Sequence, residues 1–211
     1  MTSITVQKFK DEEFINVITH APGILIGFIF SAFLLAKYPD VSATHLIGYC
    51  IYGLSFIIIY AASTFYHNAK CSDKKQFLKK VDHACIYIFM AGCYTPFVLI
   101  NMNEGPKYWF LGLVWLIAIF GVIYKFFSKY KSSVFSLILY FSFSYMCFLA
   151  KADLLDNIPQ TSFDFLVYGG IFYTIGAVFY SMRNLPYHHG IWHVLVLCGS
   201  GSHFYAIYST Y

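Results

Sequence analysis

Charged residues are scarce in this chain, and their scarcity excludes a water-soluble domain. Of the 211 residues only 11% are charged and 59% are hydrophobic, and the mean hydropathy is +0.62. Soluble domains carry about 25% charged residues. The composition therefore predicts an integral membrane protein, and we expect it in the cell membrane (inner or plasma membrane).

Three further sequence patterns are missing. The first twenty residues contain no apolar h-region, so we expect no cleavable signal peptide. The six cysteines form no C-x-x-C pair, and most lie in apolar stretches where cysteine behaves as a small hydrophobic residue. We therefore expect neither a disulfide nor a cysteine metal site. The alternation of polar and apolar positions typical of a β-barrel is also missing, which leaves membrane-spanning helices.

Seven charge-poor stretches are long enough to cross a bilayer, which needs roughly 20 apolar residues per helix. The predicted fold class is therefore all-α, an integral membrane bundle of seven transmembrane helices that forms a single domain over residues 1–211. Residues 1–18 are expected to form a short cytoplasmic amphipathic lead-in. The predicted spans are 19–37, 45–66, 83–101, 107–126, 132–150, 163–181 and 189–210.

The distribution of Lys and Arg predicts the orientation in the membrane. Of the 14 cationic residues, all except Lys37, Lys107 and Lys151 fall in the N-terminal segment or in the second, fourth and sixth connections. By the positive-inside rule the N-terminus is then cytoplasmic and the C-terminus outside. The basic balance follows from this topology, so the expected partner is anionic inner-leaflet lipid and not nucleic acid.

Four ionisable residues lie near the ends of the apolar spans: His67, Asp82, His189 and His193. Ionisable groups at membrane depth are costly and by default mark a functional site. The predicted topology places all four at the cytoplasmic ends of spans two, three and seven, and therefore at one depth. The other histidines are expected to be interfacial or hydrogen-bonded residues: His20, His45, His83, His188 and His203.

The spacing of these residues indicates metal chemistry. His189 and His193 lie on one helix face, and with His67 they offer three imidazoles, a set that suits Zn²⁺ with one position open for water. Zinc would lower the pKa of that water from 15.7 to about 7, and Asp82 would orient it or accept its proton. Ser63, one turn from His67, is expected to hold a substrate carbonyl or a developing oxyanion. Taken alone, Asp82 could instead cap the start of span three.

Six motifs are spread over nearly the whole chain: E-E-x-x-N-x-x-T-H at Glu12–His20, S-T-F-Y-H at Ser63–His67, V-D-H-A at Val81–Ala84, Y-T-P-F at Tyr94–Phe97, H-G-I-W-H-V at His189–Val194 and H-F-Y at His203–Tyr205. In order and spacing the set resembles the hemolysin III/PAQR family (progestin and adipoQ receptors), and the short loops look most like its bacterial hemolysin III branch. The resemblance implies a zinc ion held by the three histidines, a water held by Asp82 with Ser63 nearby, and hydrolysis of an amide-linked lipid such as ceramide.

The predicted function is a zinc-dependent membrane hydrolase, ceramidase-like, that cleaves a lipid amide or ester entering from the inner leaflet. A pore or cytolysin, which the family name suggests, is an alternative, although the spans lack a repeating polar stripe. A membrane receptor or sensor with a structural zinc is another. A retinal protein is not expected, because span seven contains no Lys to form a Schiff base.

Overall fold

The computed structural model describes residues 3–37, 42–128 and 133–210, with side chains over 11–36, 42–128 and 135–210. These residues contain no strand, and two short 3₁₀ segments, Tyr145–Ala150 and Leu155–Asn157, precede the sixth helix. The prediction of an all-α fold with seven helices is confirmed for this part of the chain. The α-helices are α1 (Ser3–Lys37), α2 (Ala43–Asn68), α3 (Ser72–Asn101), α4 (Glu104–Phe127), α5 (Ser133–Ser144), α6 (Gln160–Ser181) and α7 (His188–Tyr208).

Among the described residues, five helical segments are long and apolar enough to cross a membrane, and the segment Phe135–Ala150 is a shorter apolar one. Large apolar side chains such as Trp109, Leu116 and Phe120 on α4 are exposed, as expected of a surface that faces lipid. The chain is therefore a membrane protein. Which side of the membrane each terminus faces stays a prediction. The described residues do not include Lys129, Lys131 or the predicted start of span five at 132. The five long segments are Asp11–Ala36, Ala43–Asn68, Ser72–Asn101, Glu104–Phe127 and Gln160–Ser181.

Helix α1 differs from the expected separate lead-in. It runs without a break from Ser3 to Lys37, and two of its polar residues, Asn16 and His20, are only 7% and 3% exposed. The helix packs against both α2 and α7. Residues 11–18 of the expected lead-in are therefore part of the bundle, because Glu13 contacts α2 and the carbonyl of Asn16 contacts α7.

Helix α3 begins eleven residues earlier than the predicted span at 83, after Cys71 at its N-cap position. The sequence between Lys74 and Lys80 consists largely of Lys, Gln and Leu, which have high helix propensity, so the helix extends beyond the apolar stretch. Asp82 is therefore nearly three turns inside α3. Asp82 is therefore not a cap of this helix. It was expected at the start of the helix, and it lies within it.

The order of packing brings the end of α2 next to the start of α7. Helices α1 and α2, α2 and α3, and α6 and α7 pack in pairs, and α1 also contacts α7. The core between α2 and its neighbours is aromatic, with Tyr49, Tyr52, Phe56 and Tyr60 of α2 buried. Because α1 lies between α2 and α7, residues near its N-terminal end can contact both.

Tyr94 of α3 lies at the point where α5 tightens into a 3₁₀ segment. Its hydroxyl is 2.9 Å from the carbonyl oxygen of Phe143 and 3.0 Å from that of Ser144, and it accepts the N–H of Cys147 at 3.0 Å. These contacts satisfy backbone groups that the change of helix type would leave without partners. Tyr94 thereby ties this segment to α3.

Candidate metal centre

Three histidines from the ends of two helices meet in a buried cluster. His67 lies in the last turn of α2, and His189 and His193 lie in the first two turns of α7. One ring nitrogen of each lies within 4.8 Å of a ring nitrogen of each of the others. The ring centroids of His189 and His193 are 4.6 Å apart, and each is 5.0 Å from that of His67. The structure therefore brings the three predicted ligands together.

Each of these three rings has a nitrogen that is available to a ligand. In the part of the chain that the structure describes, the Nε2 atoms of His67, His189 and His193 are buried and have no hydrogen-bond partner. Buried polar atoms are nearly always hydrogen-bonded, and an exception requires an explanation such as an ion. Three neighbouring rings that each have such an atom indicate a ligand that they share.

Glu13 of α1 fixes the ring of His67. Its Oε2 atom lies 2.9 Å from Nδ1 of His67 and 2.8 Å from Nζ of Lys75. An ionised carboxylate only accepts hydrogen bonds, so Nδ1 of His67 carries the proton. In the neutral ring, Nε2 then presents a lone pair toward the other two histidines.

His193 is held in the same way by α1. Its Nδ1 lies 3.2 Å from the carbonyl oxygen of Asn16 and 3.1 Å from Oγ1 of Thr19. Since the Thr19 hydroxyl donates to the carbonyl of Ile15 at 2.8 Å, both oxygens accept and Nδ1 donates. Histidines that bind a metal commonly donate their other N–H to a carboxylate or a backbone carbonyl. Here His67 donates to the carboxylate of Glu13, and His193 donates to the backbone carbonyl of Asn16.

A second polar group lies beside the three histidines and includes Asp82. Nδ1 of His20 lies 2.7 Å from Oγ of Ser63, and the Ser63 hydroxyl also interacts with the Asp82 carboxylate. All three side chains are buried. The ring of His20 stacks on that of His193, with centroids 3.5 Å apart and an angle of 18° between the planes. Asp82 is not a member of the three-histidine cluster, and it adjoins the cluster through Ser63 and His20.

The contribution of α1 to this site is the part that the sequence reasoning missed. Glu13, Asn16, Thr19 and His20 lie in the E-E-x-x-N-x-x-T-H motif, but no role in the site was predicted for them. His20 was expected to be an interfacial or hydrogen-bonded residue; it is hydrogen-bonded, and it is buried against the site. The available signal was the spacing of Glu13, Asn16 and His20 at intervals of three and four, which puts them on one helix face.

A cavity of about 870 Å³ lies beside the second polar group. It is lined mainly by α3, α5, the 3₁₀ segment after α5, α6 and α7, and its wall near the histidines includes His20, Asp82 and Trp192. The ring of Trp192 lies 4.8 Å from that of His189. Ligand pockets commonly measure about 300–1,000 Å³. The cavity is therefore large enough for an organic molecule next to the candidate metal centre.

The chain matches known proteins over most of its length. A family model described as "Haemolysin-III related" matches residues 9–204, which include every residue of the site. The hemolysin-3 homolog of Bacillus subtilis (strain 168) is 33% identical over 199 residues, covering 93% of this chain and 92% of that protein. Hemolysin-3 of Bacillus cereus is 33% identical over 211 residues, with coverage of 98% and 94%. The human monocyte to macrophage differentiation factor is 32% identical over 208 residues, with coverage of 92% and 82%.

Proposed function

Since the chain belongs to the haemolysin III-related family of membrane proteins, we propose that it is a zinc-dependent hydrolase that cleaves an amide, as in a ceramide-like lipid, or an ester of a membrane lipid. The observation that carries the proposal is the meeting of three imidazole rings, each with a buried Nε2 atom that has no partner among the described residues. The cavity beside Asp82 supplies room for a substrate.

The donor set fits zinc better than it fits calcium or magnesium. Ca²⁺ and Mg²⁺ take oxygen ligands, whereas imidazole nitrogen suits Zn²⁺, and catalytic zinc sites use three protein ligands with one position left open. When bound to such a set, zinc supplies a Lewis acid that lowers the pKa of a water to about 7 and polarises a carbonyl. Glu13 and the Asn16 carbonyl would keep His67 and His193 in the tautomer that this binding requires.

Asp82 is the residue proposed to handle the proton. Its buried carboxylate lines the cavity but stands outside the histidine cluster, so it can orient a water and accept its proton without competing for the metal. The Ser63 hydroxyl interacts with both Asp82 and His20. These two contacts favour a role in positioning Asp82, while direct contact of Ser63 with a substrate carbonyl stays the alternative.

Lipid would reach this site from the side of the bundle. Tyr145 and Phe148 of the 3₁₀ segment and Ile171 and Ile175 of α6 line the cavity, and these four side chains are also exposed. Because these side chains both line the cavity and reach the surface, we expect its opening to lie beside these two segments. The surface around this opening is apolar, which suits a substrate that arrives from the bilayer.

The test combines metal analysis with lipid analysis of the purified full chain. Wild type is expected to contain about one zinc per chain and to release a product from a mixture of ceramides and glycerolipids. His193→Ala should lose the zinc and the activity. Asp82→Asn should keep the zinc and lose turnover by about 10²-fold or more. Asp73→Asn is the matched control, since Asp73 lies on the same helix but is exposed and outside the cavity wall.

Three results would contradict the proposal, and a fourth would favour a different function. Carefully prepared wild type without zinc would exclude the metal centre. Equal amounts of product from wild type and Asp82→Asn would exclude the assigned role of Asp82. Zinc binding without turnover of any lipid would exclude the hydrolase and assign the metal a structural role, as in a receptor or sensor. Ion flux through liposomes that survives His193→Ala would favour a pore.

A further inference from the structure

The cavity has a cationic end. Lys79 and Lys80 of α3, Lys125 of α4 and Arg183, which follows α6, all line it. Because α3 begins where α4 and α6 end, these four residues lie at the same end of the bundle. Among the described residues that line the cavity, the one acidic side chain is that of Asp82. The lining therefore carries an excess of positive charge.

Three of these cations take no part in the ion pairs that the described residues form. Within the described ranges, Lys79, Lys80 and Arg183 form no ion pair, whereas Lys75, which is outside the cavity wall, pairs with Glu13 at 2.8 Å. Lys125 donates to Oγ of Ser136 at 2.7 Å, a neutral acceptor. Lys79 also acts electrostatically on Asp82, but Asp82 is the one acidic side chain among the described residues that line the cavity, so the lining keeps an excess of positive charge.

The opposite end of the cavity is largely apolar, although His203 of α7 also lines the cavity. Phe97 of α3, Leu155 of the second 3₁₀ segment and Phe163 of α6 line it there. A cavity with a cationic end, an apolar end and an opening on the lipid-facing surface fits an amphiphile that has a negatively charged head and a hydrocarbon tail. Lys and Arg near a membrane surface attract anionic lipid at about 1 kcal/mol each.

We propose that the cavity selects a lipid with an anionic, phosphate-containing head group, which Lys79, Lys80 and Arg183 hold while the tail lies along the apolar wall. The statement that this lipid is the substrate rests on the proposed function. Binding of the lipid is measured separately from its turnover, so the two can fail independently. It goes beyond a ceramide-like substrate, whose head group carries no charge.

Topology alone does not explain this arrangement of cations. Lys70 and Lys74 belong to the same predicted cytoplasmic end and are exposed, but they do not line the cavity. The positive-inside rule treats them in the same way as Lys79 and Arg183. If the cations serve only to orient the chain, removing either pair should have the same effect on lipid binding.

The experiment compares two double variants of equal charge, Lys79→Gln with Arg183→Gln and Lys70→Gln with Lys74→Gln, in detergent micelles. The probes are oleoyl lysophosphatidylglycerol, oleoyl lysophosphatidylcholine, which has the same tail but no net charge, and inorganic phosphate. Wild type should prefer the anionic lysolipid. The cavity variant should lose about 30-fold in affinity for it, since two cations are removed. It should bind the zwitterionic lysolipid as wild type does, which also shows that it is folded. The control variant should behave as wild type throughout.

Equal affinity of wild type for the two lysolipids would overturn the proposal, as would an equal loss in both double variants. Competition by phosphate at the affinity of the lysolipid would overturn it too, because the site would then recognise a free anion and not a lipid. Anionic selectivity without cleavage of any lipid would remove the hydrolase while leaving this inference intact. Hydrolysis that does not depend on head-group charge would overturn this inference while leaving the hydrolase intact.

Discussion

Oε2 of Glu13 lies 2.9 Å from Nδ1 of His67, although the two residues are 54 positions apart in the chain. The contact joins the N-terminal part of α1 to the last turn of α2. It also determines which nitrogen of His67 carries a proton, because the carboxylate can only accept. The segment before the first predicted span thus takes part in the candidate metal centre.

Removing this carboxylate should weaken zinc binding without abolishing it. Loss of a hydrogen-bond partner of a metal-binding histidine typically costs 10–100-fold in metal affinity. We therefore expect Glu13→Ala to lower zinc affinity by about 10–100-fold and Glu13→Gln to have a smaller effect, because the amide oxygen can still accept from Nδ1. Competition with a chromophoric chelator measures the affinity.

Glu12→Gln provides the control for these variants. Glu12 is adjacent to Glu13 and carries the same charge, but it makes no contact with the three histidines in the described structure. Its variant should bind zinc as wild type does. An equal loss in Glu12→Gln and Glu13→Ala would mean that general charge, and not the bond to His67, controls affinity.

His20 should act on stability more than on metal binding. His20→Phe retains a ring to stack on His193 but removes the partner of Ser63, which should cost about 1–3 kcal/mol. His20→Ala also removes the ring and should cost about 3–5 kcal/mol, as other aromatic-to-alanine changes in cores do. Unfolding in detergent micelles, followed by tryptophan fluorescence, gives the two values.

Both His20 variants should keep the zinc, because His20 stacks on the cluster without belonging to it. Metal analysis of the same preparations checks this. Loss of zinc from His20→Phe, with the fold retained, would show that the fourth imidazole is a ligand. Equal stability of the two variants would show that the stacking contributes nothing.

Much of the fold could be predicted because membrane burial leaves a strong signal. A run of about 20 apolar residues has few alternatives to a spanning helix, so seven helices were found and their order placed His67 near His189 and His193. Four-residue spacing correctly placed His189 and His193 on one face of α7. The sequence therefore allows the prediction that the three rings lie close together.

The start of α3 and the role of α1 could not be predicted from the sequence. Apolar length reports where a helix enters the bilayer and not where the helix begins, so the turns between Ser72 and Asp82 were assigned to a loop. Glu13 and His20 were missed because a polar residue outside an apolar span gives no indication of its partner. Their roles depend on contacts with α2 and α7, which local patterns do not encode.

A close approach of α2 and α3 predicts a different response to two Gly→Ala changes. A Cβ on Gly48 would lie 3.0 Å from Cα and 3.3 Å from Cβ of Pro96, whereas a Cβ on Gly112 of α4 would meet no atom within 4 Å among the described residues. Since the backbone at Pro96 cannot easily move, Gly48→Ala should destabilise the protein by about 1–3 kcal/mol. Gly112→Ala should be neutral or stabilise it by up to about 1 kcal/mol through helix propensity. Equal unfolding free energies for the two variants would contradict the close packing at Gly48.

Cys71 allows the predicted orientation to be tested on the unmodified chain. It is exposed at the N-cap position of α3, and the backbone N–H groups of Lys74 and Asp73 lower the pKa of its thiol. The thiolate should therefore persist to lower pH than that of an ordinary cysteine, whose pKa is about 8.5, so labelling by a charged maleimide should remain fast below that pH.

If the N-terminus is cytoplasmic, Cys71 is labelled in inside-out vesicles and protected in intact cells. Cys71→Ser should remove the fast phase, because Cys85 and Cys93 are buried and the exposed Cys50 and Cys198 lie inside predicted apolar spans, which a charged maleimide does not enter. Fast labelling of intact cells would reverse the orientation and place the candidate metal centre on the outer side.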